Sequence, residues 1–505
     1  MRTLFIVLDT LRRDYLEAYG NAWVKTPNLA RLAARGVVFD NHWVGSLPCM
    51  PARREFMTGR YNFIYRGWGP IEPYDDVLPG ELRRRNVFTH LLTDHQHYFE
   101  LGGENYHTAF DTWEFFRGQE TDPWVSLVDG LAMPEHLGQW RQPNAKNRLR
   151  QQREEDFSGP RTARAAVEWI GANKDARGDW FLQLELFDPH EPFYCPEEYR
   201  RMYGDTWDGP FFDWPDYKEV TESPQAVEHI RKCYAGLMTM TDYWVGKVLD
   251  KLEETGLFDE TLIVLTTDHG TMLAEHGYWM KNIMPLYHEI VRIPLMMKLP
   301  GNAKAGTRVG AFSQTTDLMP TFLDFFNAPP PPHLHGRSLR PALDGGSIRA
   351  DGIFGYFGMA TNITDGRHVY MRNPVNADGG PLHAYTSMPV GGLWSWLPRS
   401  VHEKIEMGRY FGHTYNLPLY KIPVTGSLPR ALPGEESYQG RHQLFDVAND
   451  PQQRSPLDDP KLEAHFVERI AAHLSACEAP AEQYTRLGMT GAMPAKSPLA
   501  SDERI

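Results

Sequence analysis

Residues 3–10 read T-L-F-I-V-L-D-T, a run of five apolar side chains at positions 4–8 closed by Asp9. A short, continuous apolar run of this kind is the pattern of a strand buried on both faces, as in a parallel sheet covered by helices. Residues 26–36 follow as T-P-N-L-A-R-L-A-A-R-G, with Thr26 as N-cap, Pro27 at the first helical position, Leu29, Leu32 and Ala33 on one face, and Gly36 as the stop. Residues 37–44 return to a strand pattern, and residues 51–58 form a helical one ended by Gly59. This β-α-β-α order predicts a parallel or mostly parallel sheet.

The same alternation continues outward. Residues 180–187 (W-F-L-Q-L-E-L-F) read as a strand, and D-P-H-E-P after it can only be a loop. Ser223-Pro224 opens a long helix that carries Val227, Ile230, Tyr234 and Leu237 at helical spacing and runs to about Gly256. Residues 261–267 and 293–299 are further buried strands, and residues 317–326 a helix. Four prolines at 329–332 mark a linker, after which short strands (353–357, 369–372) and a final helix (462–476) follow. The expected architecture is α/β: a large, mostly parallel central sheet flanked by helices over residues 1–328, and a smaller C-terminal α+β domain over 333–478. The tail 479–505 has no apolar face and reads as an arm or a disordered segment.

The chain has 505 residues, with 52 Lys+Arg against 65 Asp+Glu, a formal net charge of −13. Net acidity without a long basic run argues against nucleic acid or an anionic membrane as partner. No stretch approaches the roughly 18 apolar residues of a membrane helix. The apolar run at 4–8 is too short for a signal peptide. Cys49, Cys195, Cys233 and Cys477 are widely spaced and form no disulfide framework, so a cytoplasmic location is expected.

Two strands end in a carboxylate, Asp9 and Asp268, and His269 follows the second. Ligands of open α/β sheets bind outside the carboxyl ends of the strands, so this trio points to a divalent-metal site. Such donors favour a hard ion, Ca²⁺ before Mn²⁺ or Mg²⁺. Cys49 opens a helix, where unpaired backbone N–H groups favour negative charge, and Arg53 one turn on points back to the same spot.

With C-M-P-A-R at 49–53 followed by M-T-G-R, the chain resembles the type I sulfatases of the alkaline phosphatase superfamily, whose usual motif is C-x-P-S-R with L-T-G-R. The residues T-P-N-L-A-R-L-A-A-R-G-V-V-F, L-T-T-D-H-G-T-M-L-A-E-H-G-Y-W-M-K and L-F-D-V-A-N-D-P are similar to three further signatures of that family. The resemblance implies an alkaline phosphatase-like fold and a sulfuric ester hydrolase acting on a small-molecule or saccharide sulfate ester. It also implies that a formylglycine-generating enzyme oxidises Cys49 to formylglycine. Asp9, Asp268, His269 and the modified Cys49 would then bind the divalent cation. The aldehyde hydrate at residue 49 would be the covalent nucleophile and Arg53 its stabiliser. Lys281 and His190 would contact the anion and the leaving group.

Three features depart from that family. Ala52 replaces the usual serine, and Thr10 stands where a second carboxylate is usual. In residues 89–103 the usual G-K-W-H is absent; Asp94, His95 and His97 stand there, and one of the two histidines is expected to replace the lysine on the anion. Losing that positive charge keeps a phosphonate monoester or phosphodiester hydrolase as the alternative reading. A non-catalytic anion- or sugar-binding protein is the alternative of another class. The aromatic residues Trp394, Trp396, Tyr410, Phe411, Tyr415 and Tyr420 either pack or line a substrate pocket. Trp23, Trp43 and Trp68 read as core or rim. Oligomeric state is left open.

Overall fold

A computed structural model describes residues 1–376, 379–390, 397, 399–424 and 441–493. Its centre is an eight-stranded sheet. In spatial order the strands are Thr307–Val309, Val37–Phe39, Leu295–Lys298, Thr261–Thr266, Arg2–Leu8, Trp180–Leu186, Phe88–Thr93 and Thr112–Phe115. Leu295–Lys298 runs antiparallel to both neighbours; every other pairing is parallel. The α/β fold with a mostly parallel sheet is therefore as the sequence implies.

The continuous apolar run has a direct structural cause. Side chains alternate across a strand, and each face of Arg2–Leu8 meets a different helical layer. Leu4, Ile6 and Leu8 pack with Leu29 and Leu32 of helix Pro27–Ala34, Ala163 of helix Ser158–Ala172 and Ile230 of the 31-residue helix Pro224–Glu254. Phe5 and Val7 face the other way, onto Phe56 of helix Cys49–Thr58 and Phe322 of helix Leu318–Phe325. Ser223 caps the long helix, accepting from the Ala226 N–H at 3.2 Å.

Local differences from the sequence reading have physical reasons. Thr26 precedes its helix but does not cap it. Asp242 of the long helix accepts from the Asn28 and Leu29 N–H groups at 3.1 and 2.8 Å, which frees the Thr26 hydroxyl to accept from the Glu17 N–H. The strand expected over 37–44 is two strands: Val37–Phe39 belongs to the main sheet, whereas His42–Trp43 pairs with Ser313–Gln314. Of the tryptophans, Trp43 and Trp68 are buried and Trp23 lies exposed at the rim.

A second, five-stranded sheet runs Gln443–Asp446, His368–Arg372, Thr361–Thr364, Gly352–Tyr356 and Ser46–Leu47. Helix Pro460–Ala476 covers it through Phe466, Ile470 and Leu474. Its last strand comes from the segment just ahead of Cys49 and pairs in parallel with Gly352–Tyr356. The reading of everything after 479 as an arm fails for helix Ala481–Arg486: Tyr484, Leu487 and Met489 are buried in the core beneath the second sheet. Phe411 packs against Tyr65 and Tyr385, Tyr410 stacks edge-on to Tyr385, Tyr415 is exposed on Asp76, and Tyr420 is half-buried. Trp394 and Trp396 lie outside the described residues. Among the described residues no helix is long and apolar enough to cross a membrane.

Candidate active site

Four parallel strands stand side by side at the middle of the main sheet, and their carboxyl ends share one rim. Phe88–Thr93 leads into Asp94 and His95, Trp180–Leu186 into Asp188 and His190, Arg2–Leu8 into Asp9, and Thr261–Thr266 into Asp268 and His269. The amino end of helix Cys49–Thr58 meets the same rim. Donor atoms of Asp9, Cys49, Asp268 and His269 all lie within 4.8 Å of one another, and all four side chains are buried.

The details set what each group offers. The His269 Nδ1–H donates to the Gly270 carbonyl at 3.0 Å, because a carbonyl can only accept. Its Nε2 lone pair is thereby aimed inward, 3.3 Å from Cys49 Sγ and 3.3 Å from Asp268 Oδ2. Arg53 lies one turn after Cys49 and donates to the Cys49 carbonyl at 3.1 Å. Its remaining N–H groups reach Asp9 at 2.8 Å, Asp268 at 2.7 Å and Glu185 at 2.6 Å. Thr10 adopts a left-handed φ of 61°, costly for a β-branched residue. In that conformation its N–H donates to Asp268 at 3.1 Å and its hydroxyl to Asp9 at 2.6 Å.

Lys281 is buried opposite. Its Nζ donates to His190 Nε2 at 2.8 Å and Thr10 Oγ1 at 3.1 Å, and pairs with Glu191 at 3.3 Å. Burial works against this ammonium, but Glu191 and the centre's other negative groups outweigh it and hold its pKa above the ordinary value. The His190 Nδ1–H donates to the Glu191 carbonyl at 2.6 Å, leaving Nε2 to accept from Lys281. Tyr217 closes this side by donating to Glu191.

The two candidate histidines separate cleanly. His97 is held by Glu100 at 2.6 Å and Glu120 at 3.4 Å; despite burial these carboxylates raise its pKa to about 9. The His95 ring is buried, with Nδ1 3.9 Å from Asp9 Oδ2, and neither ring nitrogen has a hydrogen-bond partner among the described residues.

The donor set also fits a divalent cation. Counted as ionised, the buried carboxylates Asp9, Asp268, Glu185 and Glu191 face, among the described residues, two buried cations, Arg53 and Lys281. Two negative charges remain uncompensated in a water-excluded site, which is costly without a counter-ion. Glu185, Glu191 and Tyr217 escaped the sequence reading. The signal for Glu185 was a carboxylate within an otherwise apolar strand pattern; for Glu191 it was its place beside His190.

Comparison with known proteins identifies the family. The family profile described as Sulfatase matches residues 2–328. The multifunctional alkaline phosphatase superfamily protein PehA of Trinickia caryophylli is 29% identical over 398 residues, covering 67% of this chain and 76% of that protein. The N-acetylglucosamine-6-O-sulfatase of Bacteroides thetaiotaomicron is 26% identical over 402 residues, covering 68% and 70%. In structure, the phosphonate monoester hydrolase of Agrobacterium radiobacter superposes with a TM-score of 0.66 at 21% identity, over 94% of this chain and 95% of that one. The fold is that of the alkaline phosphatase superfamily. Within it, the chain belongs to the sulfatase family and is a sulfuric ester hydrolase.

Proposed function

We propose that the chain hydrolyses sulfate esters of a small molecule or saccharide, with residue 49, matured from cysteine to formylglycine, as nucleophile. Asp9, Asp268, His269 and residue 49 hold a divalent cation, Ca²⁺ before Mn²⁺ or Mg²⁺. The observation that carries this reading is the single buried rim where Cys49, its Arg53 and three oxygen and nitrogen donor residues from two strand ends meet. The cation, when bound, supplies charge against the ester's oxygens, and the hydrated aldehyde supplies a second hydroxyl on residue 49. As a plain thiol Cys49 is a poor nucleophile here: burial, and then Asp9 and Asp268, push its pKa well above the ordinary thiol value.

The chain's own groups do the rest. Arg53 fixes Asp9 and Asp268 and neutralises charge beside residue 49. Lys281 Nζ, oriented by Glu191, donates to an ester oxygen and supplies the proton to the departing alcohol, while His190 Nε2, which accepts from Lys281, holds that ammonium in place. His95 offers the ring N–H that replaces the missing lysine. Because His95 is uncharged, phosphonate monoesters and phosphodiesters are the second reading; para-nitrophenyl sulfate and para-nitrophenyl phenylphosphonate, run in parallel, rank the two.

The mass of the Cys49 peptide, from protein co-produced with a formylglycine-generating enzyme, tests the central claim. A mass decrease matching thiol-to-aldehyde conversion is expected; an unaltered thiol in active protein overturns it. Chelation is expected to abolish turnover and to lower Tm by several degrees. A site kept about 100-fold above its Kd contributes about 2.7 kcal/mol. Adding back Ca²⁺, Mn²⁺ and Mg²⁺ separately identifies the ion, and turnover indifferent to chelation excludes it.

A further inference from the structure

We propose that Asp94 and Asp188 are a positioning pair: they share one proton and so hold the loops that carry His95 and His190 together, and loss of that proton closes the active range on the alkaline side. The inference rests on the sulfatase reading for its kinetic consequence only.

Asp94 immediately precedes His95, and Asp188 lies two residues before His190. Both carboxyl groups are buried, and one side chain bridges them: Gln119 Nε2 donates to Asp94 at 3.1 Å and to Asp188 at 2.9 Å. The Phe187 N–H donates to the other Asp94 oxygen at 2.7 Å. Neither carboxylate makes an ion pair among the described residues. Two buried carboxylates that face one amide, with the nearest cation, Arg161, turned to the Arg117 carbonyl and unpaired with either, cannot both ionise cheaply, so one proton stays with the pair.

The surroundings decide where that proton sits. Asp188 lies against the first turn of helix Ser158–Ala172, so close that a Cβ on Gly159 would fall 2.5 Å from its Oδ2. Ser158 of the same turn faces Asp94, so both carboxyls share that helix end; burial pushes Asp188 up to about 6, and Asp94, which feels Asp188 as well, keeps the proton. Burial, reinforced by the neighbouring Asp188, pushes the Asp94 carboxyl up to about 8. The other titratable groups facing the pair are Arg161 and Cys195. Arg161 is turned to the Arg117 carbonyl and the Phe116 ring, and the Cys195 thiol is pushed up by burial and stays neutral. The bridging loop also carries Glu120, which holds Gln96 and His97, so a shift of Gln119 displaces the whole His95–His97 segment. When Asp94 ionises, two like charges oppose each other across one amide, and the two histidines lose their common placement.

The test combines kinetics on para-nitrophenyl sulfate with two readouts that need no turnover, infrared difference spectra and melting. In wild type, kcat is expected to fall about tenfold per pH unit above about pH 8. Asp94→Asn should keep kcat within threefold at neutral pH and carry the alkaline limb at least one unit higher. A wild-type-minus-variant spectrum should show a protonated-carboxyl band at neutral pH that vanishes on alkaline titration. Because the folded pKa of Asp94 is raised, its contribution to stability is complete at acid pH and drains away as pH rises through the folded value. Wild-type Tm should therefore fall across that range relative to Asp94→Asn. Should that variant fail to fold, Asp188→Asn removes the like charge, and the Asp94 band should titrate at lower pH with no alkaline limb. A missing band, or an alkaline limb that stays put in the variants, overturns the proposal. Should the protein turn over no sulfate ester, the sulfatase reading fails, and the pair is judged on band and melting alone.

Discussion

Cys49→Ala is expected to abolish turnover of para-nitrophenyl sulfate, by about 10⁴-fold or more, while leaving Tm within a few degrees of wild type. Removal of a covalent nucleophile costs rate on that scale because the remaining groups have nothing to activate. The fold should tolerate the change: Sγ is a small buried atom in hydrogen-bond contact with the His269 ring, and truncation leaves a methyl-sized void worth about 1 kcal/mol. Binding of the sulfate ester should survive, since Lys281, His190 and His95 are untouched. This separates the enzyme from a protein that merely binds anions: in the latter, the wild type and the variant would be equally inert and equally good binders.

Arg53→Ala should have the largest effect on stability. The guanidinium is fully buried and satisfies Asp9, Asp268 and Glu185 at once. Removing one partner of a buried ionic cluster leaves uncompensated charge and costs about 3–5 kcal/mol. Tm should fall by about 3–5 °C, because the unfolding entropy that divides the loss grows with chain length. A divalent cation should restore part of this, because it answers the same carboxylates. Arg53→Lys should not, since a single ammonium nitrogen cannot span the three carboxylates that Nε, Nη1 and Nη2 reach separately. Turnover should drop by at least about 10²-fold even with the cation present. Differential scanning calorimetry with and without Ca²⁺ checks the first pair of outcomes. An Arg53→Ala protein as stable as wild type without cation would show that the carboxylates are compensated by some other means.

What could be read from the residues follows from which interactions are local. The strands Arg2–Leu8 and Thr261–Thr266 are buried on both faces, so their burial is written as an apolar run and their terminal carboxylates were visible as a site. Phe88–Thr93 is also central, yet it reads F-T-H-L-L-T: Thr89 bonds Asp111, His90 bonds Thr112, and these long-range partners hide the strand in a polar pattern. The roles of His95 and His97 could not be told apart from spacing. Glu100 and Glu120 decide them, and only Glu100 is near in sequence. Likewise Thr26 looks like a cap until Asp242, more than two hundred residues away, takes the helix N–H groups.

The strand Ser46–Leu47 also sets a timetable. It leads directly into Cys49, and its partner Gly352–Tyr356 leaves the ribosome some 300 residues later, roughly 15–60 s at ordinary synthesis rates. Until then the Cys49 segment has no seat in the second sheet, and a modifying enzyme can grasp it as an extended peptide. Once the two strands meet, Cys49 is 3% exposed, the whole helix behind it is enclosed, and that opportunity has passed.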